Sequence, residues 1–271
     1  LTAARREPSA IESGLREGAD AYLAKPIDGR ELIARTRGAL EFFRLKRQLE
    51  GQRRDHIAML VHDLRHPLAS LRLIAEILDA ENVSDDERRE AVGTIRSLST
   101  EMGRLVDDVL MASRLEAGVF SVSLRAATVG EIVDPSLRAF TVTAARRSID
   151  FLPALDSSAQ LRADPQKLRQ AIDNLLANAF KFTPRGGKIR LRVEIDGGKV
   201  RIEVEDSGPG IPQSERGTIF DRYKQGLRGR SAGGAGLGLA IAKGIAEGHS
   251  GSIDVYDGAL GGVGFRIVLP V

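Results

Sequence analysis

Apolar residues at Ile57, Val61, Leu64, Leu68, Leu71, Ala75 and Leu78 follow one another at alternating spacings of four and three. That period is a heptad seam on an α-helix. A polar break runs from Glu81 to Glu87, with Ser84 placed to cap a new helix. The same spacing resumes at Ala91, Ile95, Leu98, Met102, Leu105, Val109 and Ala112. Two such helices joined by a short turn predict an antiparallel hairpin. A lone hairpin cannot bury two narrow stripes well, whereas two chains paired into a four-helix bundle can. Upstream, Phe42, Leu45 and Leu49 run in another phase, slipped by about one residue. That slip fits a strained, switchable joint or, equally, a frayed connector.

The pattern changes after residue 117. Lys188–Glu194 and Val200–Glu205 alternate apolar and charged residues around Asp196-Gly197-Gly198, a strong hairpin signal. Pro165 to Ala179 reads as a helix, with Asp164 at its N-cap and Pro165 at its first position. Leu237 to Glu247 reads as another, and Ile253–Val255 and Phe265–Leu269 close the sheet. The expected fold there is an α/β sandwich, with two helices on one face of a mixed sheet.

Composition narrows the classes. The 271 residues include 40 basic and 37 acidic side chains, a formal charge of +3. That balance argues against a dedicated nucleic-acid binder. A hydrophobic content of 42% suffices for packed cores. The absence of cysteine excludes disulfide scaffolds, Cys-ligated zinc and thiol nucleophiles, and suits a reducing cytoplasm. The longest uncharged run, Ser231 to Ala242, is 12 residues, against the roughly 20 apolar residues of a membrane helix. No membrane segment and no secretory signal are expected. The chain begins at Leu1, as a fragment would.

Three groups of residues carry candidate chemistry. Asn174, Asn178 and Lys181 stand at i, i+4 and i+7, hence on one helix face. Two carboxamides and an ammonium among apolar residues need partners. An anionic ligand with a metal would satisfy them, and so would a polar outer face. Glu205-Asp206-Ser207-Gly208-Pro209-Gly210 follows a strand and suits a close backbone approach to a ligand, or an ordinary turn. Gly233-Gly234-Ala235-Gly236-Leu237-Gly238 opens a helix, a setting that favours phosphate. It is neither a P-loop nor a dinucleotide fingerprint. The Arg-rich stretch between the last two groups has the composition of a mobile lid.

In this order, the three groups resemble the ATP-binding domain shared by sensor histidine kinases, gyrase and Hsp90-type ATPases, over roughly residues 118–271. The resemblance implies ATP and magnesium as cofactors. It implies that Asn178 holds the metal with help from Asn174, that Lys181 contacts phosphates and that Phe182 lies against the nucleotide. It implies that Asp206 accepts from the adenine amino group, with Gly208 and Gly210 shaping that pocket. Phe220 falls in a match to the lid motif, and Gly234, Gly236 and Gly238 would close over the phosphates. One departure is Gly262-Val263-Gly264-Phe265, where the family has a small hydroxyl residue before the Phe.

Leu60-Val61-His62-Asp63-Leu64-Arg65-His66-Pro67-Leu68 resembles the phosphoacceptor box of histidine kinases. His62 follows a seam residue and so projects off the apolar stripe towards solvent. Asp63 can orient its ring and make the other nitrogen a better nucleophile. Pro67 is expected to bend the helix. His66, one turn on, occupies a position that is usually Thr or Asn in such kinases and there holds the water that dephosphorylates the partner. His62-Asp63-Leu64-Arg65-His66 is also close to the zinc motif H-E-x-x-H, but lacks its Glu and is followed by a proline.

Leu1-Thr2-Ala3-Ala4 and Gly18-Ala19-Asp20-Ala21-Tyr22-Leu23-Ala24-Lys25-Pro26 resemble the C-terminal part of a response-regulator receiver domain. Thr2, Tyr22 and Lys25 match its switch and active-site positions, while its acidic cluster lies on strands absent from this chain. The expected organisation is multidomain. A receiver fragment spans 1–40, a helical linker 41–56, a dimerisation and phosphotransfer hairpin 57–117, and an ATP-binding catalytic domain 118–271. The whole is expected to be a cytoplasmic homodimeric kinase that phosphorylates His62 and passes the group to an Asp of a response regulator. A plain ATPase and a docking scaffold without phosphotransfer are the alternatives.

Overall fold

The computed structural model describes residues 2–4, 22–24, 29–79, 83–224, 226 and 235–270. Two compact units divide the chain between Val61 and His62. In the first, strands β1 (Thr2–Ala4) and β2 (Tyr22–Ala24) pair in parallel, with Thr2 opposite Tyr22. Lys25 lies outside the described residues.

Helix α1 (Gly29–Leu78) is one uninterrupted element of 50 residues and runs through Pro67. No break in it separates the 41–56 linker from the hairpin. The local phase slip at Phe42, Leu45 and Leu49 therefore changes which face is apolar, not whether the chain is helical. The seam is open to solvent in a single chain: Leu68 is 52% exposed and Ile57 54%.

Helix α2 (Asp85–Glu116) begins at a full capping box. Ser84 Oγ accepts from the Glu87 amide, and the Glu87 carboxylate accepts from the Ser84 amide at 2.8 Å. Two otherwise unpaired backbone donors are thereby satisfied.

The α/β part holds β3 (Arg125–Thr128), α3 (Val129–Arg147), β4 (Asp150–Leu155), β5 (Gln160–Ala163), α4 (Pro165–Phe182), β6 (Lys188–Asp196) and β7 (Lys199–Asp206). A short turn α5 (Gln213–Arg216), α6 (Gly238–Gly248), β8 (Ser252–Asp257) and β9 (Val263–Pro270) follow. The main sheet has the order β4-β6-β7-β9-β8; β4 and β6 are parallel and the rest antiparallel. It is the mixed sheet expected, but it carries three long helices rather than two, α3 being the addition. Gly197 and Gly198, with φ of 55° and 76°, make the tight β6–β7 turn.

Strand parity sorts the sheet's two faces. Ile189, Leu191, Ile202 and Ile267 point inward and pack with Leu168, Ile172, Leu175, Ile241 and Ile245, all at most 1% exposed. Arg190, Glu205, Tyr256 and Arg266 form a polar network on the other face. Glu205 and Asp206 are therefore divided: Glu205 belongs to that network, while Asp206 faces the helices.

Candidate functional site

Helix α4 is fixed at both ends. At the start, Asp164 accepts from the amides of Lys167 at 3.1 Å and Ser123 at 3.0 Å. The Asp164 amide donates to Nε2 of the buried His249 at 3.0 Å. At the far end, Arg147 from α3 donates to the carbonyls of Phe180 and Thr183. This clamp sets the rotation of α4, and with it the face that bears Asn174, Asn178 and Lys181. Asn174 is 4% exposed, and its Nδ2 has no hydrogen-bond partner. The Lys181 ammonium lies 5.1 Å from the Phe182 ring centroid. Burial pushes the Lys181 pKa down; the Asp63 carboxylate pulls it back, and the Arg104 charge lowers it further.

Asp206 ends β7 on the inner face. The Gly208 amide donates to its Oδ1 at 2.7 Å, and the Gly262 amide donates to its carbonyl at 3.1 Å. Burial pushes the Asp206 carboxyl up, against the opposing effect of the Gly208 and Val263 amides. A Cβ at Gly262 would lie 2.4 Å from the Asp206 carbonyl oxygen, so only glycine fits there. In the Gly262–Phe265 run, Val263 lines the site with an apolar side chain. Gly264 faces the other way, where a Cβ would meet the Tyr256 ring at 2.4 Å.

Gly236 has φ of +64°, and its carbonyl accepts from the Tyr223 amide at 3.0 Å. A Cβ there would lie 2.7 Å from the Lys224 carbonyl oxygen. Gly238 starts α6 beside the Asn174 side chain. Gly234 lies outside the described residues.

These elements surround one cavity of about 830 Å³. Asn174, Asn178, Lys181, Phe182, Asp206, Gly210, Gly236 and Gly238 line it, and so do His62, Asp63 and His66 from the hairpin. Two expected residues stand behind its wall. Gly208 acts on Asp206 through its amide. Phe220 packs edge-on against Phe265, with centroids 6.2 Å apart, and it is Phe265 and Ile219 that reach the cavity. The hairpin adds residues the sequence reading passed over: Glu101, Arg104 and Asp108, all on one face of α2. Their signal was faint, an acid and a base one turn apart beside the seam residue Leu105.

The His62 side chain is 82% exposed, and its Nδ1 is 3.3 Å from Asp63 Oδ1. A carboxylate can only accept, so this contact is a hydrogen bond in the tautomer with the ring proton on Nδ1, in which Nε2 is the lone-pair nitrogen. Among the described residues, no three His, Asp or Glu side chains come together as a metal site, so the zinc alternative lacks its third ligand. The donors that are present suit a hard cation shared with phosphate. Asn178 lines the cavity, and its carboxamide oxygen is the atom able to ligate a cation, whereas the unsatisfied Nδ2 of Asn174 is a donor that suits a phosphate or water oxygen.

Residues 52–118 match the model of the His Kinase A (phospho-acceptor) domain. Residues 163–271 match that of the histidine kinase-, DNA gyrase B- and HSP90-like ATPases. The chain carries the paired domains of the sensor histidine kinase family. Similar histidine kinases include BaeS of Escherichia coli K12, 32% identical over 86% of this chain and 50% of its own. The histidine-protein kinase/phosphatase MprB of Mycobacterium sp. strain KMS is 34% identical over 90% of this chain and 49% of its own. The chain thus spans about half the length of these relatives. The crystal structure of full-length ShkA in complex with AMPPNP covers 80% of this chain and 45% of its own, at 29% identity and a TM-score of 0.56. No described helix of this chain is long and apolar enough to cross a membrane.

Proposed function

We propose that residues 57–271 form an ATP-dependent protein histidine kinase acting in the cytoplasm. The γ-phosphoryl group of ATP passes to His62 and then to an Asp of a response regulator. The observation that carries this reading is that an exposed histidine lines the same cavity as Asn178, Lys181 and Asp206. Nε2 forms the bond to phosphorus as the bond to the ADP oxygen breaks, and ADP leaves with that electron pair. The Nδ1 proton stays shared with Asp63. Such transfer needs in-line positioning and charge neutralisation more than covalent help. Lys181 contributes to the second, and magnesium bound through Asn178 and Asn174 would spread the rest of the phosphate charge. Asp206 orients adenine, and Phe182 lies along the nucleotide.

Dimerisation through 57–117 is supported by the open heptad seam, which a second copy of the hairpin would cover. A receiver fragment at 1–40 is supported by the parallel β1–β2 pair. The test is incubation with γ-labelled ATP. Acid-labile, alkali-stable label on the wild type, lost in His62→Gln with ADP affinity kept within a few fold, supports the kinase. Free phosphate alone would make it an ATPase, and neither product a docking scaffold. Label persisting on His62→Gln would move the acceptor to His66 or His56.

A further inference from the structure

Arg104 lies on α2, outside every motif that points to nucleotide. It nevertheless lines the cavity from the hairpin, as His62 does, and shares that lining with Lys181 of α4. Its partner is Asp108, one turn on, with Nη1 to Oδ2 at 3.6 Å. Asp108 is only 5% exposed, so the carboxylate is a fixed anchor, whereas about half of the Arg104 side chain remains accessible. A separation of 3.6 Å exceeds hydrogen-bonding range, so the guanidinium fork is steered by Asp108 without being consumed by it.

The second observation is electrostatic. Arg104 and Lys181 are close enough for the arginine charge to disfavour the charged form of the lysine, in a place where burial already does so and the Asp63 carboxylate offsets part of that effect. Two cations facing one part-buried space repel, and an anion between them converts that repulsion into two attractions. The anion nearest His62 in a transfer-ready nucleotide is its terminal phosphoryl group. We propose that Arg104 is a catalytic residue that contacts the γ-phosphoryl group and, with Lys181, brackets it beside His62. The inference rests on the kinase reading above. It adds a cation supplied by the phosphoacceptor hairpin to a site otherwise built by the ATPase domain.

Arg104 acts on the third phosphate only, so its signature is the ratio of affinities for Mg-AMPPNP and Mg-ADP, read by titration calorimetry on the whole chain. Arg104→Met keeps most of the packing stem and removes the charge. It should lower the AMPPNP preference about tenfold, the scale of one charged hydrogen bond, and leave ADP affinity within about twofold. Arg104→Lys should recover part of the preference. Asp206→Asn should weaken both nucleotides alike. An AMPPNP-to-ADP ratio unchanged in Arg104→Met, with ADP bound normally, would overturn the assignment and leave the kinase reading standing. Equal losses for the two nucleotides would reduce Arg104 to a packing role. A wild type that bound neither nucleotide would instead overturn the kinase reading.

Discussion

Leu115, in the last turn of α2, sits against the bare backbone of Gly244 in α6, where a Cβ would come within 2.5 Å of its Cδ2. The contact seats the helix that bears Arg104 and Asp108 on the helix that opens with Gly238. Gly244→Ala should gain up to ~1 kcal/mol of helix propensity and lose a similar amount by displacing the leucine tip, for a net change near zero. In a Leu115→Ala background the gain should appear uncancelled. A double-mutant cycle by urea unfolding should therefore show a coupling of about 1 kcal/mol.

Nucleotide affinity should be bell-shaped in pH. Asp206 has its carboxyl pushed up by burial, so on acidification it loses the charge that accepts from adenine before an ordinary Asp would. Lys181 has its ammonium pushed down by burial, so on alkalinisation it loses the charge that faces phosphate before an ordinary Lys would. Lys181→Arg should move the alkaline limb to higher pH and leave the acid limb in place, because arginine stays charged. Mg-AMPPNP titrations across pH check both limbs.

Gly262→Ala should be far worse than an average surface change. Its added methyl meets the main-chain oxygen of Asp206, and backbone cannot swing aside as a leucine tip can. A loss of roughly 1–3 kcal/mol is expected, typical of overpacking. Adenine binding should fall with it, since Asp206 must move. Thermal unfolding with and without ADP separates the two effects.

His66 lines the same cavity as His62 and is exposed. An imidazole there is larger than the Thr or Asn usual at this position and would hold a water differently. The protein should therefore act mainly as a kinase, with weak phosphatase activity towards its regulator. Purified phosphorylated regulator should decay faster with His66→Thr than with the wild type. Equal and rapid decay with both would refute the assignment.

Much of this was legible because the signals were local. The N-cap at Ser84, the Asp164-Pro165 helix start and the Gly197-Gly198 turn each depend on a few neighbouring residues, and each forms as read. Helix α3 was not legible. It carries Pro135 inside, and it ends on Ser148 in the left-handed region at φ 54°, where a glycine would have marked the stop. Its one clear sign was Thr128, whose hydroxyl accepts from the Glu131 amide at 3.1 Å. The cavity's nucleotide wall could be listed from motifs, because each motif is contiguous. The contribution of Arg104 and Asp108 could not, because it depends on packing between α2 and residues far along the chain.

The main chain that encloses Asp206 also bears on drug resistance. An adenine-mimicking inhibitor that donates to this carboxylate would depend on Gly208 and Gly262 behind the cavity wall, where any side chain collides with Asp206 itself. Escape by substitution at either glycine would displace the carboxylate on which the proposed adenine contact depends. Resistance would have to arise where the wall is made of side chains, at Ile219, Val263 or Phe265. A compound held by the carboxylate that touches those three lightly would leave few routes of escape.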